Sequence, residues 1–141
     1  MTTPEPQLLS IITCVSDAKE HITLPCNLTA RTLVPLAGFL LDYPVCYVPA
    51  SDDQTVFLSG VSLDLYECVL VDDRKTARVP DSHALFKFTC PTSLGDHHRD
   101  LHRRSIIDSL QKVLTSRLVS LSSPFSLKIT HNTVIFDRVA L

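Results

Sequence analysis

The chain has 141 residues, 45% of them hydrophobic and 20% charged, with a formal net charge of -2. That length and balance suit one folded domain with a real core and exclude disorder as the main state. The near-neutral charge gives no general attraction to nucleic acid or acidic membranes, and no apolar run approaches the roughly 20 residues that span a bilayer. Residues 1–7, MTTPEPQ, read as a flexible tail ahead of a single α/β domain over 8–141. They hold neither the basic nor the apolar part of a signal peptide, so the expected location is intracellular, in cytoplasm or nucleus.

Leu8 to Val15, LLSIITCV, is a continuous apolar run with four β-branched residues. It reads as a buried strand, although Leu8, Ile11, Ile12 and Val15 also fit one face of a helix. A polar connection with Pro25 follows. Leu33 to Val48, LVPLAGFLLDYPVCYV, is the stretch around which the chain is organised. It predicts a buried helix at about 29–42, a stop enforced by Pro44, and a buried strand from Val45. Asn27, Thr29 or Thr32 can cap the helix, and Pro35 belongs to its first turn or to a kink. Gly38 has no side chain, which lets another backbone come close.

Past a turn-rich loop, Thr55 to Leu58 reads as a short strand. Val61 to Val71 alternates: Leu63, Leu65, Glu67 and Val69 form a row that is apolar apart from Glu67, and Asp64, Tyr66, Cys68 and Leu70 form a mixed row. His83 to Cys90 alternates again. A helix follows at about 97–121, with Asp96 as its cap and an apolar stripe of Ile107, Leu110, Leu114, Leu118 and Leu121, widened by Ile106 and Val113. Phe125 to Thr130 and Thr133 to Val139 then predict a terminal hairpin turning at His131-Asn132. The expected fold is therefore α/β, with a mixed, largely antiparallel sheet of five to seven strands against two main helices.

Gly38, Leu40, Leu41, Tyr43, Pro44, Val45 and Tyr47 spell G-x-L-L-x-Y-P-V-x-Y. Leu63-x-Leu65, then Phe86-x-Phe88-x-x-Pro91-x-Ser93-Leu94, and the final Val139-Ala140-Leu141 follow in order. Together they resemble the C-terminal portion of a eukaryotic family of unknown function, typified by the human protein named only as chromosome one open reading frame seventy-four. The resemblance implies a longer N-terminal part in relatives. It brings no activity, cofactor or catalytic residue, and the motif positions read as structural. An apolar helix face without that N-terminal part points to self-association or to a protein partner.

Residues able to carry chemistry are few. The three glycines form neither G-x-G-x-x-G nor a phosphate-cradling loop, and G-x-S-x-G is missing. The five cysteines, none in C-x-x-C spacing, read as free thiols that mostly serve as small core hydrophobes. A nucleophilic Cys–His pair or a carboxylate site would make this a small enzyme, but sequence cannot bring such groups together. The remaining cluster is Asp96-His97-His98-Arg99-Asp100-Leu101-His102-Arg103-Arg104. His98 and His102 are four apart, and on a helix they share a face that binds metal only if a third ligand arrives from elsewhere. Cations at a helix N-terminus oppose its dipole, a local conflict that can mark a binding surface. His98, Arg99, His102 and Arg103 are the expected patch for an anion or an acidic partner. Removing Arg99 and Arg103 is expected to leave stability unchanged or slightly raised. The leading expectation is a non-catalytic interaction or scaffold domain. The alternatives are the small enzyme and, third, an anion- or nucleic-acid-binding module using the basic stretch 97–104. No cofactor and no metal are expected.

Overall fold

The structure is a computed structural model that describes residues 6–17, 21–54, 58–72, 82–120 and 125–137. Its backbone contacts separate into two compact units, whose described residues lie within 6–54 and 58–137.

The first unit holds two helices, α1 (Pro6–Asp17) and α2 (Ala30–Leu40). The strand expected over 8–15 is helix α1 instead, and Pro6 and Gln7, placed in the tail by sequence, open it. The three-to-four spacing of Leu8, Ile11, Ile12 and Val15 prevails over β-branched content, because a β-branched residue costs a helix only tenths of a kcal/mol. Leu8 and Ile11 bury against Leu36 of α2, with Ile12, Val15 and Leu28 packed around them. Thr13 and Ser16 turn their hydroxyls back to the carbonyls of Leu9 and Ile12 at 3.0 and 2.9 Å, which satisfies the hydroxyls at the cost of sharing a helix acceptor.

Helix α2 matches the expected range. Thr29 is its N-cap in extended conformation, with no side-chain cap bond. Pro35 lies inside the helix and is buried. The stop is a left-handed turn at Asp42, with φ 56°. The N–H groups of Asp42 and Tyr43 donate back to Phe39 and Gly38 at 3.1 and 2.9 Å. This pairing of bonds satisfies carbonyls that a helix end leaves open, and Pro44 follows just beyond it. Only one face of α2 is buried, through Thr32, Pro35, Leu36 and Gly38; Leu33, Leu40 and Leu41 are exposed. The strand expected from Val45 is irregular backbone. It returns along α2 and sets Cys46 on Gly38, where an added Cβ would overlap the Cys46 sulfur.

In the second unit, β1 (Ser62–Asp72) is the centre of an antiparallel sheet ordered β2-β1-β3, with β2 at Ser82–Pro91 and β3 at Phe125–Ile135. The described residues thus hold three strands, not five to seven, in an α/β arrangement with four helices. Residues 55–57 of one expected strand and 138–139 of another lie outside them. The terminal hairpin is replaced by one unbroken strand. β3 pairs along β1 from Asp72 opposite Phe125 to Ser62 opposite Ile135. The alternation Phe125, Leu127, Ile129, His131, Thr133 keeps its phase through 131–132, and an 11-residue β1 offers a partner all along it.

The long helix expected at 97–121 is broken. α3 (Thr92–His97) is followed by a 3-10 turn at Arg99–Leu101 and then α4 (Arg103–Ser120). His98 and His102 between these pieces are both extended. α4 buries Ile106 and Leu110, leaves Ile107, Leu114 and Leu118 half-buried, and exposes Val113. Its N-terminal end lies over the row that the sequence marks as mixed: Asp64, Tyr66 and Cys68 of β1, whose cross-strand neighbours are Phe86, Phe88 and Cys90 on one side and Ile129, His131 and Thr133 on the other. Phe86 and Phe88 on β2 and Ile129 on β3 add apolar surface to that face, which β1 alone does not show. Leu63, on the opposite face, is also fully buried. No helix among the described residues is long and apolar enough to cross a membrane.

Candidate functional site: a carboxylate hub beneath an arginine-lined cavity

The break before α4 creates a cavity of about 520 Å³. Its wall comes from Asp64 on β1, Thr92, Gly95 and Asp96 on α3, and His102, Arg103, Arg104, Ile107 and Asp108 at the start of α4. Gly95 makes the shape possible. A Cβ there would stand 3.2 Å from the Leu101 carbonyl oxygen and 3.4 Å from the His102 Cα, so α3 and the chain entering α4 meet where only glycine fits without displacement.

Asp64 is the charged group at the base, 6% exposed. Its Oδ1 accepts a hydrogen bond from Thr133 Oγ1 at 3.1 Å. The same oxygen lies 3.0 Å from His131 Nε2 and 3.6 Å from Arg103 Nη2. His131 Nε2 is buried, and its N–H is not aligned for a directed hydrogen bond despite the short distance. A buried carboxylate needs such compensation, because an unpaired charge there is costly. Arg103, half exposed, thus spans from the buried carboxylate to the cavity. Against the expected gain from relieving the helix dipole, removal of Arg103 also takes a charge partner from a buried anion.

Tyr66 completes the layer. Its ring stacks on Phe88 with centroids 4.9 Å apart and lies against His131 at 5.1 Å. The hydroxyl is fully buried and finds no hydrogen-bond partner among the described residues. Burial, reinforced by the Asp64 and Cys90 charges and opposed by Arg103, pushes its phenol up to about 12. Burial pushes the Cys68 and Cys90 thiols to about 11, with Asp64 adding to the effect at Cys90. Those thiols stay protonated near neutral pH, the reverse of what an activated nucleophile requires. Cys46 is also raised by burial. All five cysteines are free, and no described group of three His, Cys, Asp or Glu is placed to hold a metal.

The expected patch divides here. His102 and Arg103 line the cavity, whereas His98 and Arg99 are exposed and do not. The shared face for His98 and His102 is lost with the helix between them. His102 also acts on the helix itself. Its Nδ1 accepts the Arg104 N–H at 3.4 Å, a loose side-chain cap on α4. Asp96, expected to be the cap, sits inside α3. Arg104, Thr92 and Asp108 join the site, and so does Asp64 with its partners His131 and Thr133. Sequence reasoning missed Asp64 and His131: Asp64 stands in a row that reads as mixed, and His131 falls in a predicted turn. The motif residues Gly38, Leu40, Leu41, Tyr43, Pro44, Val45 and Tyr47 all belong to the first unit. A scan against protein-family models, a search of curated proteins and a search of solved structures found no match for this chain.

Proposed function

We propose that this chain is a non-catalytic interaction domain that receives a single acidic group of a protein partner in the cavity at the start of α4. The observation that carries this reading is the placement of Arg103 and Arg104 on one cavity wall at a helix N-terminus, where guanidinium groups and the helix dipole both favour an anion. Asp96 and Asp108 on the same wall repel a polyanion, so nucleic acid fits worse than one carboxylate or phosphate with a basic neighbour. Five free thiols support a reducing, intracellular setting. The resemblance to the family of unknown function rests on the motif residues of the first unit and on the short pieces after them, and it adds no chemistry. The enzyme alternative is weaker, because the two buried thiols, Cys68 and Cys90, are held protonated.

Titration of the labelled protein with sulfate tests the reading, followed by backbone and arginine side-chain NMR shifts. Saturable shifts confined to residues 92–108, weakened by Arg104→Gln and by added chloride, are the expected result. Shifts spread evenly over the surface, or unchanged in Arg104→Gln, would remove the proposal.

A further inference from the structure

The hub suggests how the cavity is regulated, an inference that rests on the anion-docking reading. Asp64 Oδ1 is approached by Thr133, His131 and Arg103 at 3.1, 3.0 and 3.6 Å. Thr133 donates a directed hydrogen bond, whereas His131 and Arg103 stand close to the same oxygen as charge partners without one. Thr133 contributes no charge. His131 and Arg103 are therefore alternative counter-charges for the same buried anion, and Arg103 is also the side chain that reaches the cavity. We propose that His131 is a proton-operated latch on Arg103. With a neutral imidazole, Asp64 retains the guanidinium and the cavity is short of one cation. With an imidazolium, Asp64 is satisfied from β3, the two cations repel each other, and Arg103 is released toward an incoming anion.

The surroundings of His131 allow this role. The charged and titratable groups facing it are Asp64 and Tyr66 from β1 and Arg103 from α4, while Thr133 lies two residues along its own strand. The Tyr66 ring fixes the imidazole from one side. The side chain is 14% exposed, although its Nε2 is buried against Asp64. Imidazoles change charge between about pH 5 and 8, where arginine does not. The consequence has one direction: anion affinity rises as pH falls. His102 is a second imidazole on the same cavity wall, so its contribution must be removed first. His102→Asn does so and keeps a good N-cap residue.

The probe is sulfate, which keeps its charge over this pH range, with binding read from arginine side-chain and backbone NMR shifts at pH 5.5 and 7.5. In the His102→Asn protein the affinity is expected to be about tenfold higher at pH 5.5, within the usual span of coupling between sites. Adding His131→Phe keeps a ring against Tyr66 and should abolish the pH response at the weak, high-pH level. Adding Arg103→Gln instead should also abolish it. This variant is the safeguard if His131→Phe does not fold: Arg103 is half exposed and Asp64 keeps Thr133 and His131, so the fold is expected to survive loss of the ion pair. Sulfate binding that is independent of pH in His102→Asn overturns the latch while leaving the docking site intact. An unchanged pH response in Arg103→Gln also overturns it. Absence of binding at both pH values overturns the docking reading itself.

Discussion

Tyr66 shows how far one side chain departs from what its type suggests. A tyrosine in a core normally finds a hydrogen-bond partner for its hydroxyl. Here the ring is held by Phe88 and His131, and the buried hydroxyl has no partner among the described residues. Tyr66→Phe removes an unsatisfied polar atom and keeps the stacking. We expect no loss of stability in urea unfolding at pH 7, and a gain of up to about 1 kcal/mol, because a buried unpaired hydroxyl is a desolvation cost. The same residue predicts alkaline behaviour. Its folded phenol titrates at about 12 against a usual 10.0. The unfolded state therefore loses its proton first, and stability present below pH 10 is lost as pH rises through 12. The Cys68 and Cys90 thiols, at about 11 against 9.0, act in the same direction from a lower pH. Stability measured from about pH 8 to 11.5 should decline, and Tyr66→Phe should flatten the upper part of that decline. An identical profile in the variant would show that the phenol is not held in this way.

Among the elements, α2 and the segment after it explain the spacing of apolar and turn residues in the chain's organising stretch. Gly38 in a helix costs about 1 kcal/mol relative to alanine, so its presence needs a compensating contact. That contact is Cys46, whose sulfur occupies the space an alanine methyl would take. Gly38→Ala is therefore expected to destabilise by about 1–2 kcal/mol through overpacking, despite the better helix former. Cys46→Ala should rescue most of it, because the sulfur overlap goes while a tight 3.2 Å contact between the two Cβ atoms remains. Chemical unfolding of the four proteins in the cycle measures this coupling. Additive effects would place the close approach elsewhere. The turn at Asp42 was partly legible: Pro44 announces a stop, but the left-handed residue two positions earlier makes it.

At the level of the whole molecule, the two units have different bases for stability. The first joins two short helices through a small apolar cluster. The second is centred on β1, hydrogen-bonded on both edges, with β2 and β3 each bonded on one. Native-state hydrogen exchange should therefore be slowest at the amides of 63–71, and faster at those N–H groups of β2 and β3 that point away from β1. Slower exchange in α1 or α2 than in β1 would reverse that order.

Strong periodicity over long segments was readable without coordinates, as β1, β2, α2 and most of α4 show. In each, the type of element was legible, although β1 buries its mixed row and α2 only one face. The run at 8–15 fitted two periods, and packing of Leu8 and Ile11 on Leu36 decided for the helix. The supposed turn at His131-Asn132 became strand because β1 offers pairing along its full length. The basic stretch at 97–104 was visible as a conflict of charge with dipole, but its partner was not. Asp64 and His131 stand far apart in sequence and 3.0 Å apart in space, and Arg103 joins them from a third element. Composition and period marked β1, β2, α2 and most of α4, while tertiary contacts decided 8–15 and 131–132. Only the register of β1 against β3 and the seat of α4 on the sheet decide which charges share one oxygen, because those contacts depend on residues that no local pattern relates.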